Sequence, residues 1–192
     1  MNPELRSIYM STDVSIRLVT AESLAADLDA RRLDVHPDIA EGLRGVIGDK
    51  VDFFIAVSPT EEPRGQVGIN WVGAVRQQTR DALRLAEGET APNIAFLEVT
   101  EGYRRQGVAR LLLARVYAEI LRRDHRMTFL EVAIGNVAAR ALYYSEGFVD
   151  TGVTYESSQF ERNPDGTYGD PVIMTMLLLR KDLPSAFPDK EV

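Results

Sequence analysis

The sequence predicts an α/β fold: a mixed sheet of about six or seven strands flanked by helices on both faces. Three observations predict it. Residues 93–100 (NIAFLEVT) and 128–134 (TFLEVAI) are apolar runs on either side of residues 107–123, where Val108, Leu111, Leu112, Val116 and Ile120 recur at helical spacing. A strand, a helix and a strand joined by short loops form a βαβ unit, so those two strands run parallel. Residues 52–57 (DFFIAV) and 66–75 (QVGINWVGAV), separated by SPTEEPRG, read as an antiparallel hairpin, which makes the sheet mixed. Residues 148–155 and 172–179 add two closing strands across the polar loop ERNPDGTYGDP.

The remaining elements follow in chain order. Residues 1–12 are a loose lead-in, and 15–19 (SIRLV) is a first strand with Thr20 as helix cap. Residues 21–33 are helical, and 38–47 form a second short helix after Pro37. Residues 76–92 are polar, with room for a surface helix around 80–86. Residues 137–146 are helical and stopped by Gly147, the residue that most easily ends a helix in a left-handed conformation. The 192 residues fit one domain, taken here as 13–181 with a tail over 182–192.

Composition narrows the function. There is no cysteine, which excludes disulfides, thiolate zinc sites, iron–sulfur clusters and cysteine nucleophiles, and which suits a reducing compartment. The two histidines, His36 and His125, do not make a metal site, so no metal is expected. A formal net charge of −7 argues against nucleic acid as a partner and is compatible with a cationic substrate. The arginines of residues 104–126 point in several directions around their helix and read as a solvated face. The N-terminus has no basic-then-apolar leader pattern, and the most apolar segment, VIMTMLLL, is far short of the ~20 residues of a membrane span. The chain therefore reads as soluble and cytoplasmic, without a membrane partner.

Chemistry concentrates at residues 99–110, VTEGYRRQGVAR. A strand ends there and a loop runs straight into a helix, whose first amides are unpaired and carry partial positive charge. Gly107 and Ala109 let an anion approach the backbone, and Arg104, Arg105 and Arg110 add mobile positive charge. This is a phosphate cradle of main-chain donors, yet neither GxxxxGK[ST] nor GxGxxG is present. Downstream, Asn136, Ala139 and Tyr143 share one helical stripe.

Arg104-x-x-Gly107-x-Ala109 resembles the R/Q-x-x-G-x-G/A signature of the GNAT superfamily of acetyl-CoA-dependent N-acetyltransferases. Leu130-x-Val132-x-x-x-Asn136, Ala139, Leu142-Tyr143 and Gly147-Phe148 are similar to that family's second pattern, in the expected order. The resemblance implies a GNAT-like sheet with a splayed parallel strand pair that binds the coenzyme. It implies acetyl-CoA as co-substrate, with its diphosphate on the backbone amides of Gln106, Gly107, Val108, Ala109 and Arg110, beside Arg104 and Arg105. It also implies a strand bulge whose amide, mapped to Val99, polarises the thioester carbonyl, and a coenzyme contact at Asn136. Tyr143 corresponds to the family's tyrosine near the coenzyme sulfur. Glu98 is the best-placed base for the amine, Glu101 is the spare, and Glu131 is assigned to the fold. Glu101 stands where many relatives have proline.

The function so implied is transfer of acetyl from acetyl-CoA to a primary amine by direct attack in a ternary complex, the acceptor being a small cationic amine. A protein N-terminus or lysine is the alternative acceptor, and a non-catalytic acyl-CoA sensor is the alternative of another class. The acceptor region, residues 21–50, 76–92 and 157–171, matches no pattern. The closing strands often mediate dimers in this family, which allows a homodimer.

Overall fold

The computed structural model describes residues 14–163 and 167–184, with the side chains of 161 and 162 outside that description. The lead-in 1–12, part of the loop 161–171 and most of the tail therefore lie outside the described residues. Seven strands and five helices follow in the order β1 (Ser15–Val19), α1 (Leu24–Asp29), α2 (Pro37–Leu43), β2 (Val51–Val57), β3 (Pro63–Asn70), α3 (Gln77–Leu83), β4 (Asn93–Val99), α4 (Val108–Arg122), β5 (Met127–Ala133), α5 (Val137–Ser145), β6 (Val149–Arg162) and β7 (Tyr168–Asp182). One sheet has the order β1-β2-β3-β4-β5-β7-β6, with β4 and β5 the parallel pair. The β7 strand enters between β5 and β6, pairing antiparallel with both.

Alternation along each strand divides the core. On one face α4 and α5 cover Phe54, Ala56, Val67, Ile69, Leu130, Val132 and Leu179. On the other, α1 and α2 cover Phe53, Ile55 and Val57, while Leu83 of α3 packs on Phe129 and Leu178. In α4 the buried positions are Val108, Leu112, Val116 and Ile120, with Leu113 beside them. Leu111, expected in that stripe, is 37% exposed because it lies about 100° around the helix from Leu112.

Several boundaries moved. The hairpin turn is short, because β3 begins at Pro63 and ends at Asn70. The closing strands are far longer than expected, since polar and apolar residues alternate along a ladder that pairs as far as Arg162↔Tyr168. Thr20 caps the turn leading into α1 (its Oγ1 accepts from Ser23 N at 3.2 Å), and the cap position itself is Ser23. Asp27 of α1 is fully buried and binds Arg17 of β1 at 2.6 Å and Arg32 at 2.9 Å. This ties α1 to the sheet edge. Arg123 at the end of α4 reaches Asp52 of β2 at 2.6 Å, and Asp52 also accepts from Trp71 Nε1 at 2.9 Å. Arg115, Arg122 and Arg123 all pair with Glu119, so these arginines are organised as ion pairs on the helix surface.

Candidate active site

The site begins where β4 and β5 part. Their ladder holds two residue pairs, Asn93↔Phe129 and Ile94↔Leu130, although both strands continue well beyond. The cause is a bulge in β4: opposite β3 the register jumps from Gly68↔Ala95 to Gln66↔Glu98. Phe96, inside the bulge, has φ +56°, a conformation that costs an aromatic residue strain. The bulge also reverses the strand's alternation. Before it, Ile94 faces α4; after it, Leu97 and Val99 face that helix. The bulge expected at Val99 is thus centred on Phe96 and Leu97, and Val99 itself is in regular register with Gly65.

Val99 nonetheless presents its main chain to the gap. Thr100 N donates to Arg64 O at 3.0 Å, which makes the neighbouring Gly65↔Val99 a non-hydrogen-bonded pair. In such a pair the N–H and C=O point away from the partner strand, here toward β5. The carbonyl accepts from Arg104 Nε at 3.1 Å. Gly65 is required at this crossing, because a Cβ there would lie 2.6 Å from Glu98 O.

The following loop is a single 3₁₀ turn, Glu101–Tyr103, and then the start of α4. It is anchored to the β2–β3 turn by residues the sequence reading did not single out. Tyr103 donates to Glu62 at 2.6 Å, and the Arg64 guanidinium lies 3.5 Å over the Tyr103 ring. Arg105 and Gly107 are left-handed, at φ +64° and +86°. The first helical bond runs from Leu111 N to Gly107 O at 3.1 Å, so the amides of Val108, Ala109 and Arg110 have no residue four back in the helix to bind. A Cβ on Gly107 would meet nothing within 4 Å among the described residues, so the start of α4 is open on that side. Arg110 is not mobile: it binds Glu146 at 3.0 Å and Ser145 Oγ at 3.1 Å, clamping α4 to the end of α5. Gln106 Nε2 donates back to Gly102 O at 3.0 Å.

On α5, Asn136 caps the helix by accepting from Ala139 N at 3.1 Å. Tyr143 is 8% exposed, packs edge-on to Phe148 at 5.6 Å, and belongs to the α4–α5 core cluster. Burial pushes its phenol up to about 12.

The opposite face of the sheet carries the carboxylates. Glu98 is cross-strand from Gln66, whose side chain bridges to Asp34 N and O at 2.7 and 2.6 Å, so Glu98 faces the α1–α2 connection. Val99 and Glu98 lie on opposite faces, because the bulge precedes both. Glu131, assigned from sequence to the fold, stands on this same face at the first β5 position beyond the last β4 pairing. Its neighbour Tyr155 has a buried hydroxyl without a hydrogen-bond partner. Burial and then the Glu131 carboxylate raise that phenol above its ordinary range, although the two do not meet in hydrogen-bonding geometry. Arg76 lies 5.0 Å over the Tyr155 ring. His36, at the start of α2, stacks on Phe160 at 3.7 Å, joining the α1–α2 connection to the β6–β7 hairpin. No motif or spacing marks Glu131 or Tyr155; strand pairing alone sets Glu131 beside the gap and Tyr155 near Glu131 across β7. Among the described residues no three His, Asp or Glu side chains converge as a metal would need, and no helix is long and apolar enough to cross a membrane.

Comparison with known proteins identifies the family and the fold. The family model described as "Acetyltransferase (GNAT) family" matches residues 22–148. No curated protein sequence matches. Among solved structures, the ribosomal-protein-S18-alanine N-acetyltransferase from Escherichia coli is 19% identical, with a TM-score of 0.59, covering 93% of this chain and 98% of its own. Arabidopsis thaliana NAA60 in complex with acetyl-CoA is 20% identical, with a TM-score of 0.61, covering 88% and 98%. A GNAT family acetyltransferase from Elizabethkingia anophelis with acetyl-CoA bound is 15% identical, with a TM-score of 0.60, covering 90% and 100%.

Proposed function

The chain belongs to the acetyltransferase (GNAT) family, and we propose that it transfers acetyl from acetyl-CoA to a small primary amine by direct attack. The observation that carries this reading is the parting of β4 and β5, with the Val99 main chain turned into the gap and the unpaired α4 amides at its end. Beyond Ile94 and Leu130 the facing edges of β4 and β5 no longer pair with each other, which suits an extended pantetheine arm between them. Two of the solved relatives hold acetyl-CoA.

Acetyl-CoA supplies an acyl group already activated as a thioester. The amides of Gln106, Gly107, Val108, Ala109 and Arg110 bind its diphosphate, with Arg104 and Arg105 beside them and Arg110's guanidinium holding the helix start in place. Asn136 contacts the coenzyme from the α5 start. Val99 pairs with the pantetheine, and Arg104 releases the Val99 carbonyl to permit it. The amide that polarises the thioester carbonyl comes from the bulge at Phe96 and Leu97. Glu98 takes the proton of the incoming ammonium, so that the neutral nitrogen forms the N–C bond as the C–S bond breaks. Tyr143 donates its proton to the departing sulfur and is reprotonated by the second proton that the nitrogen sheds on becoming an amide, while the first, taken up at Glu98, passes to solvent. The stacking of His36 on Phe160 ties the α1–α2 connection to the β6–β7 hairpin on the carboxylate face, which supports a small acceptor over a protein N-terminus or lysine side chain. The absence of cysteine suits a reducing compartment such as the cytoplasm.

Calorimetry with acetyl-CoA and thiol release across a panel of primary amines test this. Binding with turnover on a small amine is the expected result. Saturable binding without turnover on any amine or peptide would instead make the chain an acyl-CoA sensor. Glu98→Gln is expected to lower kcat/KM by about 10²-fold while leaving acetyl-CoA binding intact.

A further inference from the structure

An apolar pocket of about 360 Å³ opens on the carboxylate face, between α2 and the strands. Ile39, Leu43 and Val46 form one wall, and Gly68, Ala95 and Phe96 the other; Asn70 brings the one polar side chain. Two features connect it to the site. Phe96 is the strained bulge residue, and it is itself 42% exposed. Ala95 is the first β4 residue after the last β4–β5 pair, and Glu131 is its counterpart on β5. One end of the pocket therefore reaches the point where the strands part, with Glu131 on the adjacent strand and Glu98 three residues further along β4, while the rest runs away from it under α2. The volume lies in the range of about 300–1,000 Å³ typical of small-molecule sites, and a cavity of about 150 Å³ already admits a benzene ring.

We infer that the acceptor is an amphipathic amine: a primary alkylamine or arylalkylamine whose ammonium faces Glu98 and Glu131 and whose hydrocarbon lies in the α2 pocket against Phe96. The inference rests on the proposed acetyl transfer, and narrows its acceptor from any small cation to one with a single charged end. A polyamine would have to place a second ammonium among Ile39, Leu43 and Val46, where no carboxylate meets it.

The test is a homologous series, propylamine through hexylamine, with phenethylamine and spermidine, read both as kcat/KM for thiol release and as calorimetric affinity of the amine itself. Selectivity is expected to rise by about two- to fourfold per methylene, the upper figure corresponding to full burial. Gly42 lies at the pocket wall on α2, and a Cβ there meets nothing within 4 Å. Gly42→Phe places a ring across the pocket and should flatten the chain-length slope. Gly45→Phe, outside the pocket and equally unobstructed, should keep it. A flat or falling slope in the wild type, or spermidine preferred over hexylamine, overturns the inference. The wild-type slope decides the matter even if Gly42→Phe does not fold. Chain-length-dependent binding without turnover would uphold the pocket and defeat the transfer reading; turnover without chain-length dependence would do the reverse.

Discussion

Tyr143 shows how one residue's burial sets its chemistry. An ordinary tyrosine ionises near 10, whereas burial holds this phenol protonated to about 12. It is thus a hydrogen-bond donor at every working pH, and a weaker acid than a free phenol. Two outcomes follow at this scale. Tyr143→Phe should lower kcat by about 10²-fold with little change in acetyl-CoA affinity, checked by steady-state kinetics and calorimetry. The pH dependence of stability has a fixed sign. In the unfolded chain the phenol begins to ionise near pH 10 and in the fold only near 12, so stability is unaffected by this group below pH 10 and is lost as pH climbs from 10 to 12. Denaturant unfolding at pH 8, 10 and 11 should show that loss in the wild type and a smaller one in Tyr143→Phe.

At the scale of elements, the β4–loop–α4 unit does its work with backbone geometry. Gly107 is left-handed at φ +86° with open space around it, so a larger side chain there is penalised by the backbone conformation and not by a clash. Gly107→Val should cost about 1–2 kcal/mol at the helix start and intrude on the space in front of the α4 amides. Arg104→Gln removes one mobile charge and the bond to Val99 O, and leaves that geometry intact. Acetyl-CoA affinity should therefore fall much further in Gly107→Val than in Arg104→Gln, as measured by calorimetry. The bulge is the second backbone device. By reversing alternation it turns Leu97 and Val99 toward α4 while Ala95, Phe96 and Glu98 stand on the face covered by α1 and α2.

Over the whole molecule, buried ion pairs hold the first helices on the sheet edge. Burial alone would raise the Asp27 carboxyl, but the bonds from Arg17 and Arg32 hold it below the usual carboxylate range. Its contribution is therefore present above the unfolded value near 3.9 and is lost as pH falls through the lowered folded value. Acid unfolding should set in below pH 4, and Asp27→Asn should reduce that dependence. Asp27→Ala should cost about 3 kcal/mol, at the low end for breaking a buried pair because both arginines reach solvent. Loosening α1 and α2 in this variant should also lower activity, since α2 walls the acceptor side.

The βαβ unit, the loop with Gly107 and the helix carrying Ala139 and Tyr143 were legible in the sequence because each depends on neighbours within one or two turns of chain. Apolar periodicity marks helices, and a glycine at a helix start marks a close approach. Strand pairing decided the rest. The bulge at Phe96 depends on the register of β4 against β3, and Glu131 meets the gap only because the parallel ladder stops at Leu130. Tyr155 approaches Glu131 across β7, because β5 and β6 both pair with that strand. Local sequence fixes which residues can cradle an anion; long-range hydrogen bonding fixes which carboxylate and which apolar pocket stand beside the gap between β4 and β5.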